Sequence, residues 1–477
     1  MRQMVDDRPS LDADEDGVAE AALDLGRPAK SALRSPLAEA LAAILDAVSR
    51  TGAIRAVVLR LGGEPTLPAP EHGQTRARTE AQCRSEQAAV ERLRASTIPF
   101  AAWLRGPVRG PVLEIALACG ARVASEGYVD LAFSDLEIGL APRLGGLRRA
   151  LELAGLPAVL PLATLGKVIG PREAVELGLV DEIVPDTQGR RRAAARVLTP
   201  RADPPRRRRG LWERVTESDR AAITRARKAI APSHDVHHPA PVRALDIVEV
   251  LVRDPAAAAD LEVASFAELS FSGPARQLRA LRREAFGLDP QDSVPLSGFP
   301  RLRERLLDQG LTYTDMAITA TAVHEPFVRG IFEPLERAAR ALARDGVDAR
   351  MIALALRDWG FLDPFAIDAG RGPARPMARE LVQMRCVLPL VGEALRALDR
   401  GDIPGAAHGD VAAVFLGGFP PFRGGPFRYV DEVGAAELTQ RMSVFARDHG
   451  PAYEPPQILR DLAASGGHLH PAPPSSW

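Results

Sequence analysis

Asparagine is missing from all 477 residues, which removes N-glycosylation and any mechanism that relies on an Asn side chain. Lysine occurs only at Lys30, Lys167 and Lys228, so arginine carries the positive charge, a bias of composition more than of function. The three cysteines, Cys83, Cys119 and Cys386, are too few and too widely spaced for a disulfide framework or a Cys-rich zinc site. An excess of either charge is also lacking: 61 basic against 62 acidic residues leaves −1, which gives no support to a nucleic-acid binder. No apolar run reaches the ~18 residues of a membrane span, and the first residues are acidic rather than signal-like. The expectation is a soluble, cytoplasmic protein of about three domains at ~150 residues each, with no membrane span.

What is present reads first as alternating helix and strand. Residues 1–15 are polar and acidic and read as a loose lead-in. Leu37, Leu41, Ile44, Leu45 and Val48 recur at helical spacing, and Ala53–Leu61 is a β-branched run ending at Gly62-Gly63, the pattern of a buried strand. Pro99–Leu104 is a second short buried run. Pro111–Cys119 reads as a helix with proline in its first turn, where the missing N–H is no loss. Val129–Phe133 is strand-like and Arg172–Leu179 a short helix. Arg190–Arg209, with Pro204-Pro205 and four consecutive arginines, reads as an exposed boundary. Beyond Gly210 strand signals nearly vanish, and helical spacing predicts helices over 220–230, 242–252, 260–269 and 276–286. PLERAARALARDG (334–346) and PLVGEALRALDRG (389–401) are diverged copies of one helical unit, each followed by a Gly/Pro/Phe turn.

Four segments together resemble the crotonase (enoyl-CoA hydratase/isomerase) family: IPFAAWLRG from Ile98, LEIALACGARVAS from Leu113, LEIGLAPRLGGLRRALELAG from Leu136, and PREAVELGLVDEIVP from Pro171. RPAKSAL at Arg27 and AVVLRL at Ala56 are consistent with the family's N-terminus. Further on, HHPAPVRALDIVE (237–249), GGFPPFRGGPFRYVDEVGAAEL (417–438) and HGPAYEPPQILRDLA (449–463) resemble the large alpha subunit of the bacterial fatty-acid β-oxidation complex. The resemblance implies an α/β crotonase-like spiral of ββα units followed by all-α C-terminal domains. The expected division is a crotonase-like domain at 16–189, a helical extension at 190–290, and two dehydrogenase-like helical repeats at 291–374 and 375–477.

That family also carries an NAD-binding Rossmann domain between the two regions. Here Leu288–Ala322 is too short to hold one, and no G-x-G-x-x-G follows a strand, so no cofactor is expected and NAD least of all. The family's Phe-Val-Asn-Arg motif corresponds to FVRG (327–330), with Arg329 in place of the Asn. His324 reads as an ordinary surface residue. HDVHH (234–238) has metal-like histidine density, but a structural turn is the simpler reading, and no metal is expected.

By the same resemblance, Glu114 and Asp135 are the candidate catalytic acids, and Gly110 and Pro111 the candidate substrate-binding residues beside the thioester. Asp135 is one methylene shorter than the family's Glu. Glu137 is a nearby competitor that strand-like alternation would point elsewhere. Pro111 falls where the family's backbone N–H binds the thioester oxygen, and proline has none. The second donor would come from EPTLPAPE (64–71), which departs from the family's turn. Two functions follow: a degenerate, largely non-catalytic protein that binds an acyl-CoA thioester, a thiolase-type beta subunit or a second copy of itself; or an active enoyl-CoA hydratase or isomerase using Glu114 as acid/base.

Overall fold

The computed structural model describes residues 11, 13–23, 36–63, 75–127, 129–199, 216–230, 237–287, 325–361 and 375–470. RPAKSAL, EPTLPAPE, Leu288–Ala322 and His324 lie outside the described residues, as does Arg201–Arg209. Two compact units divide the chain: the first lies within Met1–His234 and Pro239–Phe271, the second within Asp235–His238 and Ser272–Trp477.

The first unit is built on a six-stranded parallel sheet: β1 (Val18–Ala22), β2 (Ala56–Gly63), β3 (Phe100–Arg109), β4 (Ala121–Ser125), β5 (Asp130–Ala132) and β6 (Glu182–Val184). The order is β1-β2-β3-β4-β6, and every pairing is parallel. Strands of this kind are covered on both faces, which explains the unbroken apolar run Val57-Val58-Leu59, all at 0% exposure. The runs read from sequence as strands are β2, β3 and, within Val129–Phe133, β5, but β3 continues five residues farther than its apolar stretch, to Arg109. Its first half pairs with β4 through Ala101–Leu104, its second half with β5 through Pro107–Arg109. The change of partner falls around Gly106, at φ 75°. Across the sheet, a Cβ on Gly62 would lie 1.6 Å from the Arg105 carbonyl oxygen, so the two chains approach where only glycine fits.

Helices fill the crossovers: α1 (Pro36–Arg50), α2 (Arg76–Arg94), α3 (Pro111–Ala118), α4 (Gly146–Ala154), α5 (Leu156–Thr164), α6 (Pro171–Glu176) and α7 (Gly189–Leu198). The reading of an exposed boundary from Arg190 is corrected over its first part. Residues 190–198 belong to α7, whose Ala193 and Ala194 are buried against the sheet beside Val58, Val123 and Val184. Arginine covers its outer face, with Arg192 and Arg196 both bound to Glu182, which is why the segment reads as linker by composition. Helices α8 (Glu217–Ala229), α9 (Ala240–Leu251) and α10 (Pro255–Ser270) complete this unit, and α10 is capped by Asp254, whose carboxylate accepts the Ala256 and Ala257 N–H groups.

The second unit is helical throughout its described residues: α11 (Gly273–Gly287), α12 (Glu325–Arg344), α13 (Ala349–Trp359), α14 (Arg379–Asp399), α15 (Ala406–Phe415), α16 (Pro426–Val433), α17 (Ala435–His449) and α18 (Gln457–Ser465). The repeat seen in sequence appears as two helix–turn–helix pairs, α12–α13 and α14–α15, and the long helix of each contains an internal proline, Pro334 and Pro389. Trp359, Phe361 and Phe419 meet in one aromatic cluster behind the two turns. Among the described residues no helix is long and apolar enough to cross a membrane.

Candidate active site

Helix α3 starts at Pro111, one residue after Gly110, whose φ of 51° and ψ of −126° turn the chain out of β3. All eight residues of α3 are buried, so Glu114 is carried into the interior by a helix that is apolar on every other side. A Cβ on Gly110 would stand 2.9 Å from Asp135 Oδ2, so Gly110 and Asp135 are in direct apposition. Of the four residues singled out by sequence, Gly110, Pro111 and Glu114 share one strand-to-helix turn, and Asp135 faces it from residues 134–138. Those residues form a 3-10 turn, not an extended loop. The alternation that would have pointed Glu137 elsewhere therefore does not operate, and Asp135 and Glu137 are both buried.

The Glu114 carboxylate accepts three backbone N–H groups from one loop: Leu144 and Gly146, each at 2.8 Å on Oε2, and Arg143 at 3.2 Å on Oε1. Gly146 is the first residue of α4, so the positive end of that helix also faces the carboxylate. The loop must be glycine-rich for this grip. Gly145 sits at φ 77°, and a Cβ on Gly146 would come within 2.4 Å of Glu114 Cγ. The amide skipped by Glu114, that of Gly145, is donated to Glu262 of α10 at 2.9 Å. Four consecutive backbone amides thus hold two buried carboxylates.

Glu262 was not foreseen from sequence, although it stands on the buried side of α10 with Ala258, Ser265 and Leu269. An acid on such a face was the available signal. Burial, with the charge of Glu114 second, pushes the Glu262 carboxyl up to about 8. Burial also raises Glu114, against the opposing pull of the loop amides and Arg143. The two acids therefore favour a state in which one holds a proton.

Arg143 is the second residue that sequence reasoning missed. Its Nε donates to Glu86 of α2 at 2.7 Å, its Nη1 lies 3.5 Å from Asp135 Oδ1, and its guanidinium stacks 4.4 Å from the centre of the Phe266 ring. Burial opposes its charge, but Glu86 and Asp135 outweigh that and hold it firmly protonated. The same environment pushes the Cys83 thiol up to about 12, chiefly through burial. Gln87 closes the arrangement by donating to the Arg143 carbonyl oxygen at 2.8 Å. Glu114 and Asp135 are each 0% exposed and Glu262 is 1% exposed, so the acids are enclosed by α2, α10 and the 143–146 loop.

His237 stacks on Phe422 in the second unit, with its Nε2 2.6 Å from the Asp358 carbonyl oxygen. Arg329, in the place of the family's Asn, forms an exposed ion pair with Glu325 at 2.9 Å.

Residues 14–230 match the family model described as enoyl-CoA hydratase/isomerase. The fatty acid oxidation complex subunit alpha of Shewanella sp. (strain MR-4) is 27% identical over 279 residues, covering 56% of this chain and 39% of the relative. That of Vibrio parahaemolyticus serotype O3:K6 is 44% identical over 94 residues, 20% of this chain and 13% of the relative. The chain therefore spans about two fifths, or less, of the length of these curated relatives. Among solved structures, a putative enoyl-CoA hydratase from Streptomyces avermitilis is 19% identical with a TM-score of 0.38, covering 60% of this chain and 94% of that one. An enoyl-CoA hydratase from Bacillus halodurans is 17% identical with a TM-score of 0.36, covering 56% and 97%. In its N-terminal half the protein has a crotonase-like fold and is similar to fatty acid oxidation complex alpha subunits, and residues 14–230 match the family model described as enoyl-CoA hydratase/isomerase.

Proposed function

We propose that this chain is a degenerate fatty-acid β-oxidation alpha-subunit-like protein, impaired as an enoyl-CoA hydratase and without NAD-dependent dehydrogenase activity. It serves by binding an acyl-CoA thioester or a partner chain of the thiolase type. The observation that carries the reading is Pro111. Hydration of an enoyl thioester develops negative charge on the carbonyl oxygen, and a backbone N–H three residues before the helix acid would stabilise it. Here that residue is the proline that heads α3.

Two further features support the reading. Glu114 would have to exchange a proton with the substrate's α-carbon, yet its oxygens are engaged by three amides inside a closed wall. Asp135 would have to help activate water, yet it faces the fixed positive charge of Arg143. Each change weakens proton transfer on its own, and loss of one oxyanion donor costs about 10²–10³ in rate.

The test is hydration of crotonyl-CoA by the purified full chain. The wild type is expected to turn over at or near background. Pro111→Gly restores the N–H for at most about 1 kcal/mol of helix propensity and should raise any measurable rate. Brisk wild-type turnover abolished by Glu114→Gln would replace this reading with that of an active hydratase using Glu114 as acid/base. Separately, titration calorimetry with NADH should give no binding in the micromolar range, and a micromolar dissociation constant would refute the absence of a dinucleotide site.

A further inference from the structure

The second unit gathers a histidine and three carboxylates from four separate places in its sequence. Asp410 of α15 is fully buried, and His470, just past α18, is only 8% exposed. His470 Nδ1 lies 2.8 Å from Asp431 Oδ2 on α16, and Asp431 also accepts the backbone N–H groups of Leu469 and His470 at 2.8 and 3.0 Å. This clamp fixes the ring and directs Nε2 inward. There Nε2 stands 3.1 Å from Asp410 Oδ2 and 3.7 Å from Glu284 Oε1 of α11.

Two buried atoms at this point are without a hydrogen bond: His470 Nε2, which faces Asp410 but out of line for one, and Glu284 Oε2. Glu284 Oε1 meets the Arg428 guanidinium, and Asp410 accepts the Phe427 and Arg428 backbone N–H groups. The three inward atoms, one from each of Glu284, Asp410 and His470, lie within 4.8 Å of one another.

We propose that Glu284, Asp410 and His470 form a binding site for a divalent transition-metal ion of the zinc class. Ligand bonds of about 2.0–2.1 Å in a tetrahedron put neighbouring ligand atoms about 3.3 Å apart, and the two distances from His470 Nε2 bracket that value. A neutral imidazole with two carboxylates and no thiolate is a donor set for zinc or its neighbours, with a fourth position left for water. Asp431 supplies the outer carboxylate that holds a metal-bound histidine in the required tautomer. The charge is right as well: three carboxylates against Arg428 leave an excess of two when His470 is neutral, which one divalent ion cancels.

The test is titration of the chelator-treated full chain with zinc chloride near neutral pH. One ion per chain is expected by calorimetry. Glu284→Gln and His470→Gln should each weaken binding at least tenfold, and Asp431→Asn by about 10–100-fold. Arg428→Gln should tighten it, because the competing cation is gone. Circular dichroism checks the fold, and Glu284, which is partly exposed, decides the matter alone if His470→Gln misfolds. Failure of the wild type to take up one equivalent, or uptake unchanged in Glu284→Gln, would overturn the proposal.

Discussion

Glu262→Gln isolates the electrostatic cost of the enclosed acids. The Glu262 carboxyl has an ordinary value of 4.5 and is pushed up to about 8 in the folded chain by burial and by Glu114. Between those values the folded chain holds a proton that the unfolded chain has released. Its contribution to stability is therefore complete below pH 4.5, falls as the pH rises, and is lost above about pH 8. At about 1.4 kcal/mol per pH unit, the whole interval amounts to on the order of 4–5 kcal/mol. Glutamine matches the protonated acid in shape and still offers an oxygen to the Gly145 N–H, but it has nothing to ionise. Urea unfolding of both chains should give stabilities within about 1 kcal/mol at pH 5, the tolerance of a near-isosteric change. The gap should then widen in favour of the variant up to about pH 8 and level off. Groups that titrate alike in both chains cancel in the difference. A gap that stays constant from pH 5 to 9 would refute the reasoning, because Glu262 would then be titrating like an exposed glutamate.

Two other outcomes follow from buried groups of the first unit and from the cysteines. Arg109 and Asp130 form a two-pronged ion pair at 2.8 and 2.6 Å with Arg109 wholly enclosed, so Asp130→Ala should cost about 3–5 kcal/mol in urea unfolding, and a loss under 1 kcal/mol would contradict the pairing. Burial pushes Cys83, Cys119 and Cys386 each up to about 12, so a disulfide reagent at pH 8 should label none of them in the folded chain and all three in denaturant.

The fold was legible where one physical rule decides the local structure. A continuous β-branched run marked β2 and a short apolar run marked β3, because parallel strands are covered on both sides, and Pro111 marked the start of α3 because its missing N–H costs nothing there. Helix α5 was not read, because LPAVLPLAT carries two prolines, and Pro161 lies inside the observed helix. Helix α2 was not read either: it is rich in Arg, Glu and Gln and buries only a narrow set of residues, among them Cys83, Glu86, Val90 and Leu93. The site divides in the same way. Gly110, Pro111, Glu114 and Asp135 could be placed from a local motif. Arg143, Glu86 and Glu262 come from three segments whose meeting depends on tertiary packing, and nothing in local spacing reports that Glu262 will face Gly145. The same holds for His470 and Asp410, which are 60 positions apart in sequence and 3.1 Å apart in space.

The position of α10 in the chain has a consequence for how the protein is made. Glu262 meets Gly145 from 117 positions farther along the sequence, and it lies beyond residue 230, where the family match ends. At ~5–20 residues per second, a ribosome takes roughly 6–23 s to pass from one to the other. From residue 184 onward the nascent chain contains every strand of the sheet, while Glu114 still lacks its acidic neighbour and Arg143 lacks the Phe266 ring. The carboxylate is therefore born into a wetter, less crowded setting than the one it ends in. Its final proton affinity is set only when the last helix of the unit arrives, so the order of synthesis lets the sheet form before the charges have to be enclosed.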